Sequence, residues 1–407
     1  MRKLICFLMA TIMFVACGKD DFSFNVKEEI KNPYAVTPEE AVQLLQTVIG
    51  DETTRSVSIS DVQTLTKGNF TQTTRSGADD EVIYIVDIEG GGSAIMGADK
   101  RMEPIYAVFD SAKISAEELL GATTRSSSEN GSTTDFMFGL LNNAILNDIQ
   151  EVETAGIEMP LIPRDQTWSE TTIISYQEPL LNTAWHQDAP FNNNYDFIPG
   201  TTTRYFAGCG PIALAQIIYY NRFPSSINGV TFDWNLIEEY EIGNNNPSNS
   251  ATIEVANFIY QIKVGTNAQP SGNQGGMGIN VNNARDFLNS IGYTNPTIFD
   301  YSSVHVVNTV VNNNLPIYAR GTKANGEGHA WVIDGCNIYR VDNWVRHYTD
   351  AISYTEYIES TQNYNLIHCN IGWEDKDCNA FYASGVFDPH GDLFNVGMKV
   401  ITYSLSN

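Results

Sequence analysis

The spacing of apolar and polar positions changes period several times along the chain, and each change predicts an element. In NPYAVTPEEAVQLLQTVIG, residues 32 to 50, apolar side chains return at helical spacing, Thr37 and Glu40 form a capping box and Pro38 suits the first turn. A capped amphipathic helix is predicted there. After a polar stretch from Asp51 to Asp80, the runs EVIYIVDIE, SAIMGADKR and PIYAVFDSAKI, broken by Gly-rich turns, predict strands of a small sheet. GATTRSSSENGSTTD, Gly121 to Asp135, has the composition of a linker, and MPLIPRDQTW, Met159 to Trp168, marks a second boundary. Beyond residue 165 the chain is denser in aromatics, Asn and Gly. Helices are predicted over 210–221 and 281–291 and the last third reads as strand, an order that fits an α+β domain.

The first residues follow a different logic. Arg2 and Lys3 precede an apolar run, Leu4 to Ala16, that is short for a bilayer span and ends at Cys17. A small residue followed by Cys at this place resembles a bacterial lipoprotein signal, with Cys17 lipidated after cleavage. Gly18-Lys19-Asp20-Asp21 resembles the short signal that sends such proteins to the outer surface of Gram-negative cells. An ordinary secretory signal is the alternative, and both predict export. The triplet Thr-Thr-Arg recurs at 53–55, 73–75, 123–125 and 202–204, too irregularly for a structural repeat. Arg in polar loops is a favoured site of proteolysis, so some of these are candidate processing points.

Composition narrows the function. A formal net charge of −25 disfavours nucleic acid as a partner, because phosphate binding needs clustered Lys and Arg. Of the six cysteines, Cys6 leaves with the signal and Cys17 is the lipid site. Cys209, Cys336, Cys369 and Cys378 remain, without a CxxC that would suggest a zinc ribbon or a thioredoxin-type motif. An exported compartment permits a disulfide among them.

RYFAGCGPIALAQIIYY, Arg204 to Tyr220, holds Cys209 between glycines at the head of an apolar helical run, with Pro211 in the first turn. Free N–H groups and the helix dipole stabilise an anion at that end, and a cationic partner lowers a thiol further. Gly208 and Gly210 let another backbone or a substrate come close. These are the needs of a nucleophilic thiolate, although a buried inert Cys at a tight turn satisfies the same pattern. A nucleophile needs a base. His186, His305, His347 and His390 read as surface or packing residues. His329 begins the strand GEGHAWVIDG, where His329, Trp331 and Ile333 alternate with Ala330 and Val332, and Gly328 leaves its ring accessible. NLIHCNIGW offers Asn370 to orient the imidazole, Trp373 to shield that bond from water, and His368 as a rival base. His368, Cys369 and Cys378 lack the fourth ligand of a metal site. Gln187, upstream of the nucleophile, is a candidate oxyanion donor together with the Cys209 N–H.

The order Gln, Cys, His, Asn, Trp resembles the streptopain family of papain-like cysteine proteases. TAWHQDAPFN is similar to that family's Trp-x-Gln-x-x-Pro-Tyr-Asn element, AGCGPIALAQIIYYNRFP to its nucleophile block, GHAWVIDG to its His block and HCNIGW to its His-x-Asn-Trp-Gly-Trp block. GGGSAIMGADKRMEPIYAVFD, Gly90 to Asp110, resembles the family's propeptide, and SGNQGGMGIN, Ser271 to Asn280, lies where similar proteins have a Gly-rich loop beside the cleft. The resemblance implies Cys209 as nucleophile, His329 as base and acid, Asn370 as orienter and Gln187 as oxyanion donor. It also implies Gly210, Gly328 and Trp373 beside the substrate, no cofactor or metal, and an apolar P2 residue. Ile371 replaces the first Trp of the last block. Tyr339 to Asn365 is extra length that reads as an extended hairpin, and Cys369 and Cys378 bracket a turn where a disulfide is expected.

The resulting expectation is a signal over 1–17, a small α+β propeptide over 18–164 with its boundary between 125 and 165, and a papain-like α+β catalytic domain over 165–407. The function expected is that of an exported cysteine endopeptidase made as a zymogen. Its partners are protein or peptide substrates, its own propeptide as inhibitor, and the membrane through a lipid at Cys17 until cleavage near Arg125 or Arg164 releases it. The rivals are a cell-wall amidase or acyl-transferase of the same Cys-His geometry, and a surface binding lipoprotein that has lost activity.

Overall fold

A computed structural model describes residues 32–50, 57–71, 78–125, 133–156, 166–241, 243–271, 275–322, 328–349, 353–372, 378–387 and 397–405. The signal, Cys17, Arg164, His390 and Trp373 lie outside these residues, as do the first two Thr-Thr-Arg triplets.

The N-terminal portion runs α1 (Pro38–Ile49), β1 (Ile59–Thr66), α2 (Lys67–Phe70), β2 (Glu81–Ile88), β3 (Ser93–Gly97), β4 (Ile105–Phe109), α3 (Ala116–Arg125) and α4 (Thr133–Ala155). Strand β5 (Gln166–Gln177) follows. Next come α5 (Cys209–Asn221), a small hairpin β6 (Ser226–Ile227) and β7 (Val230–Thr231), α6 (Trp234–Glu238) and α7 (Ser250–Gly265). A second hairpin, β8 (Gln269–Ser271) and β9 (Gly276–Gly278), leads to α8 (Val281–Ser290), β10 (Thr294–Asp300) and α9 (Ser303–Val306). The chain closes with β11 (Ile317–Thr322), β12 (Gly328–Tyr348), β13 (Tyr354–Asn370), β14 (Ala380–Ala383) and β15 (Lys399–Ser404).

Local chemistry explains most of these elements. In α1 the Thr37 side chain accepts from the Glu40 N–H, the Glu40 carboxylate accepts from the Thr37 N–H, and Ala41, Leu45 and Val48 face the core. The ends of the expected linker over Gly121 to Asp135 are helical, and its middle, 126–132, lies outside the described residues. Helix α3 continues to Arg125 and α4 already begins at Thr133, so helix enters the polar segment from both sides. The apolar run that follows drives α4, whose Phe136, Phe138, Leu140, Leu141, Ile145 and Ile149 are buried.

Among the described residues, one antiparallel sheet of eleven strands carries both portions, in the order β1-β2-β3-β4-β14-β13-β12-β11-β15-β10, with β5 pairing the distal half of β12. The join is β4 to β14, where Phe109, Val108 and Ala107 pair with Ala380, Phe381 and Tyr382. Strands β12 and β13 form the expected long hairpin. The sheet separates two cores. Trp331, Ile333 and Ile367 pack with α1, α4 and the N-terminal strands on one face. Ala330, Val332, Tyr318 and Ile401 pack with α5, α7 and α8 on the other.

Candidate active site

Cys209 is the first residue of α5, and its local fold depends on what precedes it. Gly208, the N-cap, has φ +91°, and a Cβ there would lie 2.6 Å from the Met277 carbonyl oxygen. An L side chain would meet both the strained backbone and the clash. Gly210 lies directly against the Ile279 side chain. These glycines therefore seat the helix tip on the Met277–Ile279 segment, the close backbone approach that the sequence anticipated.

Burial alone would raise the Cys209 thiol, but the charge and hydrogen bond of His329, the Ala330 N–H and the charge of Arg320 bring it down to about 7. Cys336 and Cys369 move the opposite way. Burial pushes Cys336 up to about 12, and burial with the nearby Asp334 charge holds Cys369 well above its ordinary value. Cys336, Cys369 and Cys378 are all buried, and Cys369 is not joined to Cys378, which corrects the expected Cys369–Cys378 disulfide.

His329 is buried at the start of β12, stacked with Trp331 at 6.1 Å between ring centroids. Its Nε2 lies 3.0 Å from the Ile371 carbonyl oxygen. A carbonyl can only accept, so Nε2 carries the proton and Nδ1 is the nitrogen left for the Cys209 sulfur. The expected orienter was Asn370. Its Nδ2 instead donates to the Thr183 carbonyl at 2.9 Å, and its Oδ1 accepts from the Gly372 N–H at 3.2 Å. Asn370 thus fixes the backbone that carries the Ile371 carbonyl, and that carbonyl makes the contact to the ring. Asn379, unnoticed in the sequence, completes the support by accepting from the Ile371 N–H at 2.8 Å. A main-chain acceptor has no residue signature, so composition and spacing could not point to Ile371.

The remaining candidates are placed as follows. The Gln187 carbonyl accepts from the Ala207 N–H at 2.8 Å, which brings residue 187 alongside the approach to Cys209. Gly328 is exposed on the backbone next to His329, where a Cβ would lie 2.6 Å from the Gly321 carbonyl oxygen. The rival base His368 is not part of this cluster. Its Nδ1–H donates to Asp334 at 2.6 Å and its Nε2–H to Asp110 of the N-terminal portion at 3.0 Å. Burial pulls its pKa down, but the two carboxylates outweigh that and push it up to about 10. It is an ionic tie between the two portions. Arg320, whose charge helps Cys209, is the second residue that the sequence reading passed over. A lone cation in the apolar run LPIYARGT was its signal.

Phe136 of α4 packs against both His329 and Trp331, at 6.3 and 6.0 Å between ring centroids. The N-terminal portion therefore reaches the imidazole directly.

The Peptidase C10 family model matches residues 185–382. No curated protein sequence matches the chain. Among solved structures, a mutant fragment of Prevotella intermedia prointerpain A is similar in fold over 85% of this chain and 100% of its own, with a TM-score of 0.54 and 16% identity. Wild-type Prevotella intermedia interpain A, an active cysteine protease, aligns with 57% of this chain and 97% of its own at a TM-score of 0.40 and 19% identity.

Proposed function

Because residues 185–382 belong to the Peptidase C10 family, and the protein is accordingly a cysteine peptidase, we propose that it is an exported endopeptidase made as a zymogen, with Cys209 as nucleophile and His329 as base and acid. The observation that carries this reading is the contrast among thiols: Cys209 is drawn down to about 7 beside an imidazole, while Cys336 and Cys369 are driven up.

In this mechanism the Cys209 thiolate attacks a peptide carbonyl. The developing oxyanion is held by the Cys209 N–H at the helix tip and by the Gln187 side-chain amide. His329, held by Nε2 on the Ile371 carbonyl, passes the proton at Nδ1 to the leaving amine. It then takes a proton from water, which hydrolyses the acyl-enzyme. Asn370 and Asn379 act as positioning residues through the backbone of Ile371 and Gly372.

The zymogen reading is supported by Phe136, which covers the imidazole, and by the β4–β14 pairing that makes the N-terminal sheet continuous with the catalytic one. Export and lipidation at Cys17 rest on the first 21 residues, and release on cleavage near Arg125 or Arg164.

The test is alkylation of the activated chain by iodoacetamide across pH, with the modified residue located by mass spectrometry. One equivalent should enter at Cys209 with an inflection near about pH 7, and His329→Ala should move that inflection up to about 8.5 or above. Labelling spread over Cys336 and Cys369, or an inflection unmoved by the substitution, would reject the assignment.

A further inference from the structure

Strand alternation sorts the residues around the dyad onto two faces. Ile317, Ala319, Trp331 and Ile333 belong to the core that receives Phe136, whereas Tyr318, Ala330 and Val332 belong to the core beneath α5. Arg320 pairs across the sheet with Ala330, and Gly321 with His329. Arg320 therefore lies on the α5 face, the face on which Cys209 also packs. Its Nη1 donates to the Ile279 carbonyl at 2.7 Å. Its Nη2 lies 3.2 Å from the point where a Gly328 Cβ would stand, and the Tyr318 hydroxyl lies beside it and Cys209. The guanidinium thus spans from the Met277–Ile279 wall to the strand that carries His329. It is half-buried, and no carboxylate among the described residues is paired with it.

A half-buried arginine beside a nucleophile, its charge felt by the Cys209 thiol and no carboxylate among the described residues paired with it, still has the capacity to take a substrate carboxylate. We infer that Arg320 is a specificity residue that takes an acidic side chain of the substrate at P1 or P2. The inference rests on the peptidase reading and names its substrate class. The acyl side follows from the faces. His329 protonates the leaving amine and its ring lies on the Trp331 face, so the acyl half of the peptide lies on the Cys209 side, toward Arg320. The resemblance at the sequence level implied an apolar residue at P2, and Arg320 predicts a carboxylate on this side.

The test uses the activated full chain as wild type, R320Q, R320K and R320E, with quenched fluorescent peptides that differ only in Glu, Gln or Lys at P1 or at P2. Wild type should prefer Glu at one of the two positions by about 10- to 100-fold in kcat/KM, the scale of a charge-assisted pair. R320K should keep a reduced preference, R320Q should bring the ratio near one, and R320E should favour Lys over Glu. A wild-type ratio near one at both positions, with casein still digested, overturns this inference alone. So do variants that slow the Glu and Gln peptides equally, because Arg320 would then act only through the thiol. A wild type that cleaves neither casein nor any peptide overturns the peptidase reading and this inference together.

Discussion

Asp110→Asn, made in a Cys209→Ala background so that no self-cleavage intervenes, should loosen the N-terminal portion in a pH-dependent way. Asp110 accepts from His368 Nε2–H at 3.0 Å, while the buried Asp334 holds Nδ1–H at 2.6 Å. His368 is displaced from an ordinary 6.5 to about 10. A group whose folded pKa is raised stabilises the fold fully below its unfolded value, and that stabilisation is lost as pH climbs through the folded value. The window is therefore about pH 6.5 to 10. At about 1.4 kcal/mol per unit the whole displacement bounds the contribution at about 5 kcal/mol. Asp334, fully buried, carries the larger share. Asp110 is 36% exposed, and solvent screening leaves its share at about 1–2 kcal/mol. Urea unfolding at about pH 6 should show that loss for Asp110→Asn, and the loss should shrink toward zero near about pH 10.5. Equal losses at both pH values, or none at about pH 6, would refute the reasoning.

Two further substitutions probe the site. Gly208→Ala forces a Cβ at φ +91° to within 2.6 Å of the Met277 carbonyl oxygen, so it should cost about 1–3 kcal/mol in denaturant unfolding and slow Cys209 alkylation. Asn379→Ala strands the buried Ile371 N–H at a cost of about 1–3 kcal/mol, and through the Ile371 carbonyl it should lower kcat more than it changes KM.

Local signals in the sequence were legible where the cause was local. The capping box at Thr37 and Glu40, the alternation of His329, Trp331 and Ile333 against Ala330 and Val332, and the glycines around Cys209 each act within a few residues. The long hairpin of β12 and β13 followed from excess length between two recognisable blocks. What stayed hidden acts through the backbone or over distance. The partner of the imidazole is the Ile371 carbonyl, which any residue could have supplied. His368 looked like a rival base because its partner Asp110 lies 258 residues away. The reach of Phe136 to His329 likewise depends on how α4 docks. Arg320 was readable in principle, as a charge inside an apolar strand, but its meaning needed the opposite wall at Ile279.

The central claim is tested most directly by casein hydrolysis and chain length followed together for wild type, Cys209→Ala and His329→Ala, each expressed as residues 18–407 and clipped with trypsin where it does not process itself. The account predicts that wild type digests casein and that both variants, folded and clipped to the same length, lose at least about 1000-fold of that activity. Casein digestion undiminished in Cys209→Ala would contradict it.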